Sequence, residues 1–180
     1  METIFNMDFE SVVSLRDALD EYNMPHFIFG GWGLDILNGR QTRNHIDLDL
    51  VIWGLERERF LKFLELQRCR IWDEGVKMVF GNEFFEGEVL FLKEKGGFCT
   101  FEGKYFKASI PANVLLPFSS SNIKGEKFCI GNRELIIKMT QLFSRYPEDR
   151  KLAGLLVRQC DKNVMDRIEL ERKRNNTKEA

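Results

Sequence analysis

Apolar positions recur at helical spacing between Asp8 and Tyr22, where Val12, Leu15, Leu19 and Tyr22 share one face, so an amphipathic helix is predicted there and Asn23-Met24-Pro25 ends it. The unbroken run His26-Phe27-Ile28-Phe29 predicts a short strand, Gly30-Gly31 a break, and Trp32 to Leu37 a brief helix closed by Asn38-Gly39. From Ile46 the period changes to two. Ile46, Leu48, Leu50 and Ile52 fill one side of a strand, and Asp47 and Asp49 project from the other toward a cleft. Glu56 to Leu66 is helical again, with Phe60, Leu61 and Leu64 facing inward.

Strands are predicted near Arg70 to Trp72, Val76 to Phe80 and Phe84 to Leu92, then a hairpin from Cys99 to Ala108 around Glu102-Gly103. Pro111 to Gly125 reads as a loop-rich crossing with Ser119-Ser120-Ser121 as linker. Asn132 caps a helix from Arg133 to Phe143 whose apolar stripe is Leu135, Ile136, Met139, Leu142 and Phe143. Pro147 starts another helix that packs Leu152, Leu155 and Leu156, and Arg172 to Asn176 forms a polar tail. The sum is an α+β fold, a mixed sheet flanked by helices with a small helical unit at the C-terminal end.

Composition narrows the function classes. The 180 residues, 43% hydrophobic and 31% charged, suffice for one core. A formal net charge of -1 argues against broad nucleic-acid binding, and only the basic tail could touch RNA. No apolar run is long enough to span a membrane, and Met1-Glu2-Thr3 lacks the basic start of a secretory signal, so a cytoplasmic location is expected. Cys69, Cys99, Cys129 and Cys160 form no CxxC pair; they are expected to be reduced and mostly buried.

The chemistry concentrates between Gly30 and Asp49. On one strand face, Asp47 and Asp49 lie about 6.5 to 7 Å apart along the backbone. Two such carboxylates repel unless a cation compensates, and an all-oxygen pair favours Mg²⁺ over zinc. A strand entering a helix through Gly30 and Gly31 exposes backbone N–H groups suited to phosphate oxygens. Arg43 could clamp phosphate in a bidentate manner, and His45 could orient the metal ligands or a phosphate. Glu86 and Glu88 share one face of the later strand, and either could complete the site.

Gly30-Gly31-Trp32-Gly33, Leu34-Asp35, Asn38-Gly39-Arg40, Thr42-Arg43, His45 and Asp47-x-Asp49 together resemble the motif of the small antibiotic nucleotidyltransferases, the aminoglycoside 2''-adenylyltransferases and lincosamide nucleotidyltransferases of the polymerase-beta-like superfamily. The resemblance implies transfer of a nucleoside monophosphate, AMP from ATP, to a hydroxyl of a small acceptor with release of pyrophosphate. It implies Mg²⁺ held by Asp47, Asp49 and a third acid. Anchoring on the acid-x-acid pair makes that acid Glu86, and anchoring on the following apolar run makes it Glu88, which is preferred. The resemblance also directs Lys138 at the phosphates and matches Pro147-Glu148-Asp149-Arg150 to a late family element.

Residues 1–110 would then form the nucleotidyltransferase core and 111–180 a helical region on the acceptor side with the polar tail. The acceptor is open: an aminoglycoside would want acids, for which Glu83, Glu86, Glu148 and Asp149 are candidates, and a lincosamide would want apolar surface from Phe84, Phe85, Trp53 and Trp72. A monomer or homodimer is expected. Two other classes compete: nucleotidyl transfer to tRNA or protein, and a non-catalytic nucleotide-binding module.

Overall fold

The computed structural model describes residues 7–103, 106–116 and 118–172. Its elements run α1 (Phe9–Glu21), β1 (His26–Phe29), α2 (Gly30–Asn38), β2 (Leu48–Trp53), α3 (Arg57–Leu66), β3 (Arg70–Asp73), β4 (Lys77–Gly81), β5 (Glu86–Lys95), β6 (Phe98–Glu102) and β7 (Phe106–Pro111). They continue with α4 (Ala112–Leu115), β8 (Ser119–Ile123), β9 (Glu126–Ile130), α5 (Arg133–Phe143), α6 (Pro147–Leu156), α7 (Lys162–Arg167) and β10 (Glu169–Arg172). The α+β expectation holds.

One mixed sheet runs in the order β10-β7-β6-β5-β2-β1-β9-β8, and β4 pairs with the outer edge of β5 and carries β3. The β2–β5 and β1–β9 pairs are parallel and the rest antiparallel. Strand β5 is the branch point: Gly87 to Leu92 pair with β2, and Lys93 to Lys95 pair with β6. The central strands are apolar because both faces are covered. Leu48, Leu50, Val51 and Ile52 of β2 and Val89, Leu90 and Leu92 of β5 are buried, as are Val12, Leu15 and Leu19 of α1 and Leu135, Ile136 and Ile137 of α5.

Four expectations are corrected. Gly30 and Gly31 belong to α2, whose uncapped first turn tolerates glycine because its N–H groups have no helical partner in any case. Ser119-Ser120-Ser121 is a strand, not a linker: β8 and β9 form a hairpin through Lys124 and Gly125, both at positive φ (50° and 85°), and Ser121 Oγ donates to the Ile36 carbonyl. Leu142 and Leu155 face outward at 41% and 56% exposure, and Ile137 and Ala153 take the inward places. Of the cysteines, Cys99 is buried and the other three are half-buried, with burial pushing the Cys69 thiol up to about 11.

The segment after Pro111 contributes strands as well as helices, and β10 returns antiparallel to the edge of β7. Residues 173–176 of the predicted tail, like Met1-Glu2-Thr3, lie outside the described residues. No helix among the described residues is long and apolar enough to cross a membrane.

Candidate active site

The parallel β2–β5 register sets Asp49 directly beside Glu88, and the β1–β2 register sets Phe29 on the other side of Asp49. Phe29, Asp49 and Glu88 thus form one row across three strands, with Asp47 just ahead of β2. Beside this row is a cavity of about 400 Å³ lined by Gly30, Gly31, Arg43, His45, Asp47, Asp49 and Glu88 from one side and by residues from Phe106 and Met139 to Asp149 on the other. Glycine is required at its floor. Gly30 has φ +64°, and a Cβ there would collide with the Asp49 carboxylate; a Cβ on Gly31 would lie 2.5 Å from His45 Nδ1 and 2.6 Å from Arg43 Nη2. The start of α2, with no side-chain cap, therefore opens onto the carboxylates.

Both aspartates of the site are held above the ordinary carboxylate range. Burial pushes the Asp49 carboxyl well above the ordinary range, and the charges of Asp47 and Glu88 push it further. Asp47 is also raised by burial, against the pull of Arg145, Arg43, His45 and Lys77. Among the described residues no three His, Cys, Asp or Glu side chains gather as a ready-made metal cluster. The donor chemistry nonetheless fits a hard divalent cation: three neighbouring carboxylates line one cavity, and two of them are raised by burial.

The structure separates the two candidate glutamates. Glu88 lines the cavity, whereas Glu86 is exposed at the start of β5 and pairs with Gly81. Glu88 is not free, since Lys77 Nζ donates to its Oε2 at 2.5 Å. Lys138 lies elsewhere: its ammonium donates to the carbonyls of Met165 (2.7 Å) and Ile168 (2.6 Å), where it closes the C-terminal end of α7. A helix pattern shows that Lys138 leaves the core but not which backbone it meets.

Arg43 reaches the cavity with its fork already engaged. Nε and Nη2 each donate to Asp149 at 2.8 Å, Nη1 donates to the Asn44 carbonyl, and the guanidinium lies 3.7 Å from the Tyr146 ring centre. His45 is buried, with Nε2 2.7 Å from Asp35 Oδ2 and its ring 4.6 Å from that of Trp32. Asp35 also accepts from Thr42 Oγ1 (2.5 Å) and Thr42 N (3.0 Å), so one buried carboxylate holds both ends of the loop that carries Arg43.

Reading the sequence alone missed Asp35 as the hub, Lys77 as partner of Glu88, and Tyr146. The proposed apolar candidates fall elsewhere: Trp72 and Phe84 are exposed, Phe85 is buried in the core, and Trp53 packs on Phe118. The apolar wall is Phe29, Phe106, Met139, Phe143 and Tyr146, with the Phe106 and Phe143 rings stacked at 5.0 Å. Asp149, proposed as an acid for a cationic acceptor, is spent on Arg43.

The family described as aminoglycoside-2''-adenylyltransferase matches residues 11–81. A 2''-aminoglycoside nucleotidyltransferase of Escherichia coli is 36% identical over 74 residues. Over this stretch the chain is similar to the aminoglycoside 2''-adenylyltransferases. The E. coli alignment covers 39% of this chain and spans 42% of that relative's length. A lincosamide resistance protein of Staphylococcus haemolyticus is 27% identical over 60 residues, 33% of this chain and 37% of the relative.

Solved nucleotidyltransferases share the fold over most of the chain. A lincosamide antibiotic adenylyltransferase with lincomycin bound superposes with a TM-score of 0.67 at 19% identity, covering 83% of this chain and 98% of its own. ANT(2'')-Ia in complex with adenylyl-2''-tobramycin gives 0.64 at 20% identity, covering 87% of this chain and 93% of its own. These likenesses bear on the fold.

Proposed function

We propose that this antibiotic-nucleotidyltransferase relative transfers AMP from ATP to a hydroxyl of a small acceptor of the aminoglycoside or lincosamide kind, with Mg²⁺, and releases pyrophosphate. The observation that carries the reading is the register that sets Asp49 against Glu88 beside the glycine entry of α2. The names of the relatives, and the antibiotics bound in the two solved structures, support the acceptor class.

The backbone N–H groups of Gly30 and Gly31 hold phosphate oxygens, and the α2 dipole favours their charge. Glu88 takes the proton of the acceptor hydroxyl as the new O–P bond forms and the bond to the leaving pyrophosphate breaks. Phe106, Phe143 and Tyr146 offer flat apolar surface to the base or to the acceptor. Asp47, Asp49 and Glu88 would hold Mg²⁺, which when bound stabilises charge on the transferring phosphoryl group and on pyrophosphate. Arg43, bound to Asp149, acts as a brace for the cavity wall.

The test is metal-dependent pyrophosphate release by the purified protein with ATP, using aminoglycosides, lincosamides and tRNA as alternative acceptors. Activity with a small antibiotic, abolished in folded Asp47→Asn protein, is the expected result. Release with tRNA alone would move the assignment to a macromolecular acceptor, and none with any acceptor would favour a binding module.

A further inference from the structure

We propose that Lys77 is a built-in counter-cation of the carboxylate cluster, which holds Glu88 until a divalent ion displaces it and thereby sets how tightly the site takes that ion. The inference rests on the metal reading of Asp47, Asp49 and Glu88 given above. Strand pairing puts Lys77 in place. Val79 of β4 lies opposite Glu88, which lies opposite Asp49, and Lys77, two residues before Val79, shares that sheet face. Its side chain therefore reaches Glu88 along the diagonal, a distance a lysine spans without strain.

The pair is shielded, with side-chain exposures of 13% for Lys77 and 25% for Glu88, so its attraction is stronger than that of a surface bridge. The neighbouring arginines pull on Asp47 from a distance, whereas Lys77 is hydrogen-bonded to Glu88 itself. Arg43 is held by Asp149, and Arg145 lies 5.0 Å from the Tyr146 ring centre. A divalent ion that takes the same Glu88 oxygens meets the ammonium at contact distance, and like charges there repel. Lys77 must leave as the ion arrives. It has somewhere to go: Glu74 Oε2, a second carboxylate that does not line the cavity, lies 4.0 Å from its Nζ. Lysine suits this exchange better than arginine, being a compact charge on a flexible stem.

Direct Mn²⁺ titration of the nucleotide-free protein, read from the electron paramagnetic resonance of free Mn²⁺ at pH 8, tests the exchange. Lys77→Met should bind Mn²⁺ more tightly by on the order of tenfold, and Lys77→Arg should bind close to wild type. Glu74→Gln should bind a few-fold more weakly, because the displaced ammonium loses its second partner. Unchanged or weaker binding by folded Lys77→Met overturns the proposal. If Lys77→Met does not fold, unchanged binding by Glu74→Gln overturns it instead. Asp47→Asn and Asp49→Asn separate the two levels: if neither weakens Mn²⁺ binding, the metal reading itself fails, whatever Lys77 does.

Discussion

Gly30→Ala should remove activity out of proportion to its effect on the fold. Gly30 has φ +64°, a conformation that costs an L-residue about 1–2 kcal/mol. In a domain of this size that strain lowers the melting temperature by about 2–8 °C. The new methyl would also lie 2.6 Å from Asp49 Cγ, whereas carbon atoms rest at about 3.5–4.0 Å. The Asp49 carboxyl must retreat by about 1 Å, and a misplacement of that size at a reacting centre costs on the order of 100-fold in rate.

Gly39→Ala separates strain from displacement. Gly39 caps α2 at φ +76°, and a Cβ there meets nothing nearer than the Asn122 carbonyl at 4.0 Å. In thermal melts followed by circular dichroism Gly39→Ala should lose the strain alone and Gly30→Ala more, by the cost of its collision with Asp49, and only Gly30→Ala should lose pyrophosphate release, assayed well below both midpoints. Equal activities in the two variants would refute the placement of Asp49 at the reacting centre.

Glu88→Gln should lower turnover by about 100-fold or more, whereas Glu86→Gln, on the exposed start of β5, should stay near wild type in the same assay; the reverse outcome would reassign the third carboxylate. Asp49→Asn should raise the melting temperature of the metal-free protein by a few degrees at neutral pH. Because burial raises the Asp49 carboxyl in the fold, the folded state favours the protonated form; that contribution is complete below the ordinary carboxylate range and is lost as pH rises through the raised value. The advantage of Asp49→Asn should therefore shrink as pH falls toward 4, and a pH-independent difference in melts would contradict it. Asp149→Ala leaves the shielded Arg43 guanidinium without its bidentate partner and should cost about 3 kcal/mol in urea unfolding, part of which the double variant Arg43→Met with Asp149→Leu should recover.

The sequence makes local periodicity legible and hides long-range register. Asp49 stands out as an acid among apolar neighbours because the strand alternates, and its partner strand is readable by the same rule. Which of Glu86 and Glu88 meets Asp49 depends on how β2 slides along β5: a slide of two residues keeps the same face inward and exchanges one glutamate for the other, so the alternating pattern alone does not choose between them. The β8–β9 hairpin was hidden because serine has weak strand preference and because Lys124 occupies a turn position at positive φ that more often takes Asn, Asp or Gly. The Asp149 grip on Arg43 joins positions 106 apart and has no local trace at all.

The division of the cavity bears on the acceptor. The family match ends at residue 81, and within it lie Gly30, Gly31, Arg43, His45, Asp47 and Asp49. Glu88, Phe106, Phe143, Tyr146 and Asp149, which complete the wall, all lie beyond it. The matched half carries the glycine start of α2 and two carboxylates, the parts on which the proposed transfer rests. The half beyond the match carries stacked aromatics and an acid already neutralised by Arg43. A polycationic acceptor would find its negative charge at Asp47, Asp49 and Glu88 and little elsewhere on this wall. An acceptor with an apolar flank would find Phe106, Phe143 and Tyr146. Exchanging residues 139–149 with those of an aminoglycoside-specific relative should therefore move acceptor preference and leave ATP use in place, because the exchanged residues lie outside the matched half.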